Sequence, residues 1–264
     1  MSPNFTLYAA LLFYTAGTLI ALASLFTRER RTQHAALVLM IGGFLCHTTW
    51  IGTICARTHH PPLTNLPEAA AFVAWCIFVV ELALFIRYRV QAASFFVYPL
   101  VLMLLTVAAV VHEPFAQMDP ALRSSLFTAH VLLSAVGVAA LLTGLAFTAL
   151  SYAQDRALKS KHRGPLWEWI PSLSVCRTLS YRTLAVGFSI YTLGILAGIL
   201  WSYRTTAGPI DMRVKQLGGI TAWILFAVLL QSYISGAYRA RRTALISVGA
   251  FVAIVVAMLG IHHV

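Results

Sequence analysis

The chain has 264 residues, of which 59% are hydrophobic and 10% are charged, and its mean hydropathy is +0.80. A typical soluble domain has about 25% charged residues, so this composition excludes a soluble globular fold and a disordered chain. The net charge of +11 would suggest a nucleic-acid partner in a soluble protein, but basic residues also set the orientation of membrane proteins.

The hydrophobic residues form long blocks that are separated by short polar stretches. About 20 helical residues cross the roughly 30 Å of hydrocarbon in a bilayer, and open β-strand edges are excluded from lipid. The sequence therefore predicts an all-α polytopic membrane protein, a bundle of about eight transmembrane helices in a single domain over residues 1–264. The predicted spans are 7–26, 35–56, 70–86, 94–111, 127–152, 184–201, 218–238 and 243–264.

The basic residues indicate how these spans are oriented. With the N-terminus outside, the inner loops contain 14 Lys and Arg residues and the outer segments contain 5. Loops on the cytoplasmic side carry an excess of Lys and Arg, so we predict that both termini are outside and that segment 153–183 is inside. This distribution accounts for the net charge, so we expect contact with the lipid bilayer and no nucleic-acid partner.

Histidine is the most informative residue type, because seven of the nine histidines lie in the outer half of the predicted topology. His47 lies within span two, and His130 lies at the outer start of span five. Ionisable side chains inside a membrane usually line a cavity or a bound group, and neutral imidazole is a common ligand of haem iron. The alternative is that the outer histidines are solvated and that His47 is a hydrogen-bond donor in the core. The other outer histidines are His59, His60, His112, His262 and His263.

The sequence offers no independent catalytic signature. It has no Walker, Rossmann or HExxH motif, and no outer acid stands at helical i, i+4 spacing from a histidine. Zinc hydrolases usually include carboxylates among their ligands or as the general base. We therefore assign no catalytic residue. The sequence favours a protein that is not an enzyme, but it leaves both possibilities open.

Several segments resemble the motifs of one family of membrane proteins. These segments are Leu-Cys-His at 45–47, His-Pro-Pro-Leu-Thr-Asn-Leu-Pro-Glu at 60–68, Thr-Ala-His-Val at 128–131, Leu-Ser-Tyr-Arg at 179–182, Gly-Phe at 187–188 and Ala-Trp at 222–223. Over residues 45–264, the chain resembles the CcsA/ResC-type cytochrome c assembly proteins. Its short length and eight spans resemble the small HemX/YpjD-like branch of that family.

The resemblance implies a haem-handling integral membrane protein that delivers or presents haem at the outer face during cytochrome c biogenesis. It implies His130 as one axial ligand of the haem iron and His47 as a deeper position in the membrane. Trp201 and Trp223 flank an outer loop and are candidates for an aromatic wall. The implied partners are apocytochrome c or a second membrane assembly protein, and the implied location is the bacterial inner membrane. Candidates for the other axial ligand are His59, His60 and His262. The larger proteins of the family have an external histidine beyond their last span, and His262 would substitute for it.

The chain departs from the family at its most characteristic loop. The stretch 206–216 lacks the tryptophans of the family's outer loop, and Gln231 stands where the family has a histidine in span seven. Glutamine is a poor ligand for iron, so an alternative function stays open. The chain would then be a non-catalytic HemX-like regulator or scaffold subunit of a membrane complex, without bound haem. A third interpretation is an unrelated small transporter or channel.

Overall fold

The fold is helical throughout the part of the chain that the computed structural model describes, and that part contains no strand. The described residues are 3–27, 29–58, 60–62, 65–111, 124–160, 167, 169–205, 214–235 and 240–259. The predicted all-α fold with eight helices is confirmed. The helices are α1 (Pro3–Thr27), α2 (Arg30–Thr58), α3 (Leu66–Tyr88), α4 (Ser94–Val110), α5 (Ser125–Ser160), α6 (Leu173–Thr205), α7 (Val214–Ile234) and α8 (Ala240–Leu259).

Most of these helices have the length and composition of membrane spans. Within the described residues, six helices are long and apolar enough to cross a bilayer: α1, α2, α3, α5, α6 and α7. Helix α4 is also apolar but shorter, with 17 residues. The chain is therefore a multi-pass membrane protein, as the hydropathy predicts. The placement of both termini outside stays a prediction.

The largest difference from the predicted spans concerns the start of α6. The sequence predicts an inner loop over 153–183, whereas α5 continues to Ser160 and α6 already begins at Leu173. Helix α6 has 33 residues, many more than the ~20 that cross hydrocarbon. Its first turns contain Arg177 and Arg182, and hydropathy cannot detect a helical extension that is rich in basic residues.

The helices divide into two compact units. Unit 1 comprises Met1–Gln117 with Arg156–Pro171, and unit 2 comprises Met118–Asp155 with Ser172–Val264. Unit 1 therefore contains α1 to α4, and unit 2 contains most of α5 together with α6, α7 and α8. The single domain expected over residues 1–264 stays a prediction.

Unit 1 is held together by an aromatic contact that joins all four of its helices. Phe78 of α3 lies against Tyr14 of α1, Phe44 of α2 and Tyr98 of α4, with ring centroids 6.1, 5.3 and 6.3 Å apart. Helices α1 and α2 approach closely where Gly43 faces Tyr14, because a Cβ at Gly43 would lie 2.6 Å from Cδ1 of the tyrosine. Small residues at such crossings allow the close packing that stabilises helix pairs in membranes.

The ends of α3 are set by its sequence. Asn65 is the N-cap, and its side-chain oxygen accepts a hydrogen bond of 2.9 Å from the backbone N–H of Glu68. Pro67 lies in the first turn, where its missing N–H costs nothing. At the other end, Arg89 adopts the left-handed conformation with φ 55°, and its N–H donates to the carbonyl of Phe85.

In unit 2, α5 and α6 pack antiparallel along a seam of glycines. A Cβ at Gly137 of α5 would lie 2.7 Å from the backbone of Tyr191, and one at Gly187 of α6 would lie 2.9 Å from the backbone of Leu141. From the first of these contacts to the second, the residue number rises on α5 and falls on α6. The two helices therefore run antiparallel in a fixed register. The seam positions the end of α5 that contains His130.

Three hydroxyl groups join α5, α6 and α7 further along this seam. Ser180 lies 2.6 Å from the hydroxyl of Thr148 and 2.9 Å from that of Tyr233, oxygen to oxygen. Ser180 also donates to the carbonyl of Gly144 at 3.2 Å. Hydrogen bonds between transmembrane helices contribute about 0.6 kcal/mol each, so this cluster fixes the position of α7 on the α5–α6 pair.

Candidate functional site

His130 of α5 is bound to the backbone of α6 through one of its ring nitrogens. Its Nδ1 lies 2.7 Å from the carbonyl oxygen of Gly194. A carbonyl can only accept a hydrogen bond, so Nδ1 carries the hydrogen, and the neutral ring keeps its lone pair on Nε2. No described residue forms a hydrogen bond with Nε2. The half-buried imidazole therefore has a fixed tautomer and a nitrogen that is able to bind a metal.

Two glycines of α6 allow this end of α5 to approach closely. A Cβ at Gly198 would lie 2.6 Å from Nδ1 of His130 and 2.7 Å from its Cε1. Gly194 lies one turn earlier on the same face, and a Cβ there would lie 2.6 Å from the hydroxyl oxygen of Ser134. The imidazole can therefore lie against α6 only because Gly198 lacks a side chain, whereas Gly194 allows the close approach of Ser134.

An aromatic pair joins α5 and α6 one turn away from His130 and Gly198. Phe127 is one turn before His130 on α5, and its ring centroid is 5.0 Å from that of Trp201 on α6. Trp201 is one turn beyond Gly198 and is half-buried. We name His130, Gly194, Gly198, Phe127 and Trp201 the His130 site.

The structure places Trp223 of α7 elsewhere in unit 2. Its indole N–H donates to the hydroxyl of Thr192 at 2.9 Å, and its ring is stacked on Phe188 with centroids 5.3 Å apart. Thr192 precedes Gly194 by two residues, which is about 200° around a helix. Trp223 thus contacts a different face of α6 from the one that holds the imidazole.

His47 of α2 forms a second cluster, in unit 1. The side chain has no solvent exposure, and Nδ1 lies 3.4 Å from the hydroxyl of Tyr14. The ring of Trp50, one turn later, is centred 5.9 Å away. Within the described residues, neither Nε2 of His47 nor Nε1 of Trp50 has a hydrogen-bond partner. We name His47, Tyr14 and Trp50 the His47 site.

The other predicted site residues are placed only in part. His60 follows the end of α2 in unit 1, where its Nδ1 donates to the carbonyl of Pro61 at 2.9 Å. His59 and His262 lie outside the described residues, as does the loop at 206–213. His130, Trp201 and Trp223 belong to unit 2, whereas His47 and His60 belong to unit 1. No described group of three or more His, Cys, Asp or Glu side chains could hold a metal ion.

Sequence reasoning missed the residues that position the two imidazoles. Gly194 and Gly198 contact His130, Phe127 lies one turn before it on α5, and Tyr14 lies beside His47. The spacing of four residues between the two glycines places them on one helical face, and such a pair is typical of a close helix contact in a membrane. That pattern could have indicated the contact, although not which side chain fills it.

Comparison with known proteins identifies the family. A family model described as cytochrome C assembly protein matches residues 63–264. The chain belongs to this family. The CcsA-type resemblance is thereby confirmed, whereas membership of the HemX-like branch stays a prediction.

The cytochrome c assembly family also provides similar curated proteins, each named cytochrome c biogenesis protein CcsA. The protein of Mesostigma viride is 26% identical over 230 residues, covering 78% of this chain and 75% of the relative. The protein of Gloeobacter violaceus is 25% identical over 313 residues, covering 97% and 90%. That of Prochlorococcus marinus (strain MIT 9303) is 27% identical over 235 residues, covering 78% and 74%.

Proposed function

We propose that the chain serves cytochrome c assembly by binding haem at the His130 site and presenting it at the predicted outer face of the membrane. Haem is the cargo in this proposal, and Nε2 of His130 is one axial ligand of its iron. The observation that carries the proposal is the 2.7 Å hydrogen bond from Nδ1 of His130 to the carbonyl of Gly194. The CcsA relatives are named cytochrome c biogenesis proteins, and this name supports the assembly part of the proposal.

The hydrogen bond of His130 has the form expected for an iron ligand. Histidines that bind metals almost always donate the hydrogen of their other ring nitrogen to a carbonyl or carboxylate, which fixes the tautomer and raises the basicity of the ligand. His130 already has this partner. Nε2 can therefore accept the iron without any change in the protonation of the ring.

The surroundings of His130 also suit the rest of a haem group. The macrocycle is flat and apolar, and binding sites for such groups are lined by apolar and aromatic side chains. Phe127 and Trp201 supply two aromatic rings, one turn from His130 on α5 and one turn from Gly198 on α6. Arg204, one turn beyond Trp201, is exposed, and a guanidinium binds carboxylates such as haem propionates through paired hydrogen bonds.

The second axial ligand and the partners belong to this proposal as well. His59, His60 and His262 are the candidates for that ligand, and Trp223 is a candidate for a further part of the aromatic wall. Apocytochrome c or a second membrane assembly protein would receive the haem, and a bacterial inner membrane is the proposed location. His47 would hold haem at a deeper position in unit 1.

The visible spectrum of the purified protein tests this function. We expect the protein, isolated in detergent and supplied with haem, to show a Soret band and sharp α and β bands after reduction. His130→Ala should lose these bands, since it removes the ligand. His34→Ala is the matched control, because His34 is exposed on α2 and its Nδ1 only bonds the carbonyl of Arg30. An unchanged spectrum of His130→Ala would contradict the proposal, and a folded protein without colour would favour the HemX-like regulator.

Replacing His47 by leucine separates a binding role from a structural role. A buried polar atom without a partner costs about 1–3 kcal/mol. His47→Leu removes one such atom, Nε2, but takes the partner from the Tyr14 hydroxyl, so the two effects offset each other and the free energy of unfolding should change little. We expect His47→Leu to keep its melting temperature and to bind less haem per molecule. The control is Met40→Leu, a fully buried position of the same helix where both properties should persist. Unfolding of His47→Leu, with unchanged haem content in the folded fraction, would show that His47 is only structural.

A further inference from the structure

In unit 2, the start of α6 lies beside the end of α7. The hydroxyl oxygen of Ser180 is 2.9 Å from that of Tyr233, and the ring of Tyr233 is centred 6.3 Å from that of Tyr181. Tyr181 and its neighbour Arg182 are both exposed. Tyrosine is enriched where a membrane meets water, so the two rings indicate that this end of unit 2 lies at the level of the lipid headgroups.

Helix α8 begins at the same end of unit 2. A Cβ at Gly218, near the start of α7, would lie 3.0 Å from the backbone of Ala257 near the end of α8. Further along α7, Leu225 lies 3.7 Å from a Cβ built at Gly249, which is nearer the start of α8. Helices α7 and α8 are therefore antiparallel, and the same register brings the first turn of α8 to the level of Tyr233.

This shared end of α6, α7 and α8 is strongly basic. Arg177 and Arg182 lie in the first turns of α6, and Arg241 and Arg242 lie in the first turn of α8. The described part of unit 2 has a single acidic residue at this end, Asp155 of α5. Three of the four arginines are exposed, namely Arg182, Arg241 and Arg242, and we name these three the basic surface.

On both helices, an exposed apolar side chain follows the exposed arginine on the same face. Val186, four residues after Arg182, is 58% exposed, and Leu245, four residues after Arg241, is 65% exposed. Side chains four residues apart lie one above the other on a helix. The order of charge and apolar surface thus matches the order of phosphate and acyl chain in a phospholipid. An acidic protein segment would match the arginines but not the apolar side chains.

We propose that the basic surface binds anionic phospholipids of the leaflet that is predicted to be inside. The phosphate contacts the arginines, and an acyl chain lies along Val186 or Leu245. A guanidinium binds phosphate through paired hydrogen bonds, and basic residues beside membrane spans attract anionic lipids. This site is separate from the proposed haem site, because Gly198, which contacts His130, lies towards the other end of α6. The tests below do not require haem.

Native mass spectrometry of the full chain in detergent tests lipid binding. The probes are phosphatidylglycerol, which is anionic, and phosphatidylcholine with the same acyl chains, which has no net charge. We expect phosphatidylglycerol to bind more tightly. Replacing both Arg241 and Arg242 by glutamine should weaken its binding about fivefold for each arginine removed, and Arg182→Gln should weaken it about fivefold. Equal affinities of the unmodified protein for the two lipids would overturn the proposal.

A second pair of arginines provides the matched control. Arg30 and Arg31 are exposed at the start of α2, in unit 1 and on the same predicted side of the membrane. The residues one turn further are His34 and Ala35, so no long apolar side chain follows these arginines there. Replacing both by glutamine should leave the affinity for phosphatidylglycerol unchanged. An equal loss in this variant and in the α8 variant would show general attraction by charge and would contradict a defined site.

Soluble competitors and one apolar substitution separate a lipid from other anions. Glycerol phosphate has the headgroup chemistry without acyl chains, and polyglutamate represents an acidic protein segment. We expect neither to displace phosphatidylglycerol at equal concentration. Leu245→Ser should weaken lipid binding several-fold with an unchanged melting temperature, because this side chain is 65% exposed. Displacement by glycerol phosphate would indicate a site for free phosphate, displacement by polyglutamate would indicate a protein-docking surface, and either result would overturn the proposal.

Discussion

Gly198→Ala is expected to remove haem from the His130 site while leaving the fold intact. A Cβ at this position would lie 2.6 Å from Nδ1 of His130, which no ordinary contact allows. The atom in conflict belongs to the end of a half-buried side chain, so the imidazole can swing away without moving either helix. That movement breaks the hydrogen bond to Gly194 and displaces Nε2. Loss of such supporting contacts typically costs about 10–100-fold in metal affinity.

A haem titration of the purified variant measures this effect. We expect its affinity for haem to fall by about the same factor, 10–100-fold, with an unchanged melting temperature without haem. Gly52→Ala is the control, because a Cβ added at Gly52 would meet no atom within 4 Å. Tight haem binding by Gly198→Ala would show that the position of His130 on α6 does not matter for ligation.

Gly137→Ala is expected to destabilise unit 2 more than any other single methyl group considered for this chain. The added Cβ would lie 2.7 Å from both the Cα and the N of Tyr191. These are backbone atoms, so the conflict can be relieved only by separating α5 from α6. Overpacking of this kind costs about 1–3 kcal/mol, and we expect the upper part of this range.

Thermal unfolding in detergent measures this cost. We expect the melting temperature of Gly137→Ala to fall by several degrees, since 1 kcal/mol corresponds to about 2–4 °C in a chain of this size. Gly249→Ala is the matched control, because its Cβ would meet only Leu225, at 3.7 Å. An alanine there should leave the melting temperature unchanged or raise it slightly. Equal melting temperatures for the two variants would contradict the close packing of α5 on α6.

The sequence predicted those parts of the fold that depend on local composition. Apolar blocks long enough to cross a bilayer predicted eight helices, and eight are present in the described part of the chain. The start of α6 at Leu173 was missed, because Arg177 and Arg182 lower the hydropathy of a segment that is still helical. Hydropathy reports which residues suit hydrocarbon, whereas helix formation continues into the polar interface wherever the backbone bonds persist.

The candidate site was predictable in its ligand but not in its surroundings. His130 stood out because seven of the nine histidines lie in the predicted outer half and because its segment resembles a family motif. Its partner Gly194 is 64 residues away along the chain, and only the antiparallel register of α5 and α6 brings the two together. Trp223 shows the opposite case, in which residues grouped by the sequence are not in contact. The sequence places Trp223 and Trp201 on the two sides of one outer loop, whereas in the structure Trp223 is stacked on Phe188.

Chemical rescue of His130→Gly tests the central claim most directly, namely that Nε2 of His130 binds the haem iron. The variant removes the whole imidazole and leaves space for a free one beside Gly194 and Gly198. We predict that it loses the haem spectrum of the unmodified protein and regains it when imidazole is added. A spectrum that survives the substitution, or one that imidazole fails to restore in a folded variant, would contradict the claim.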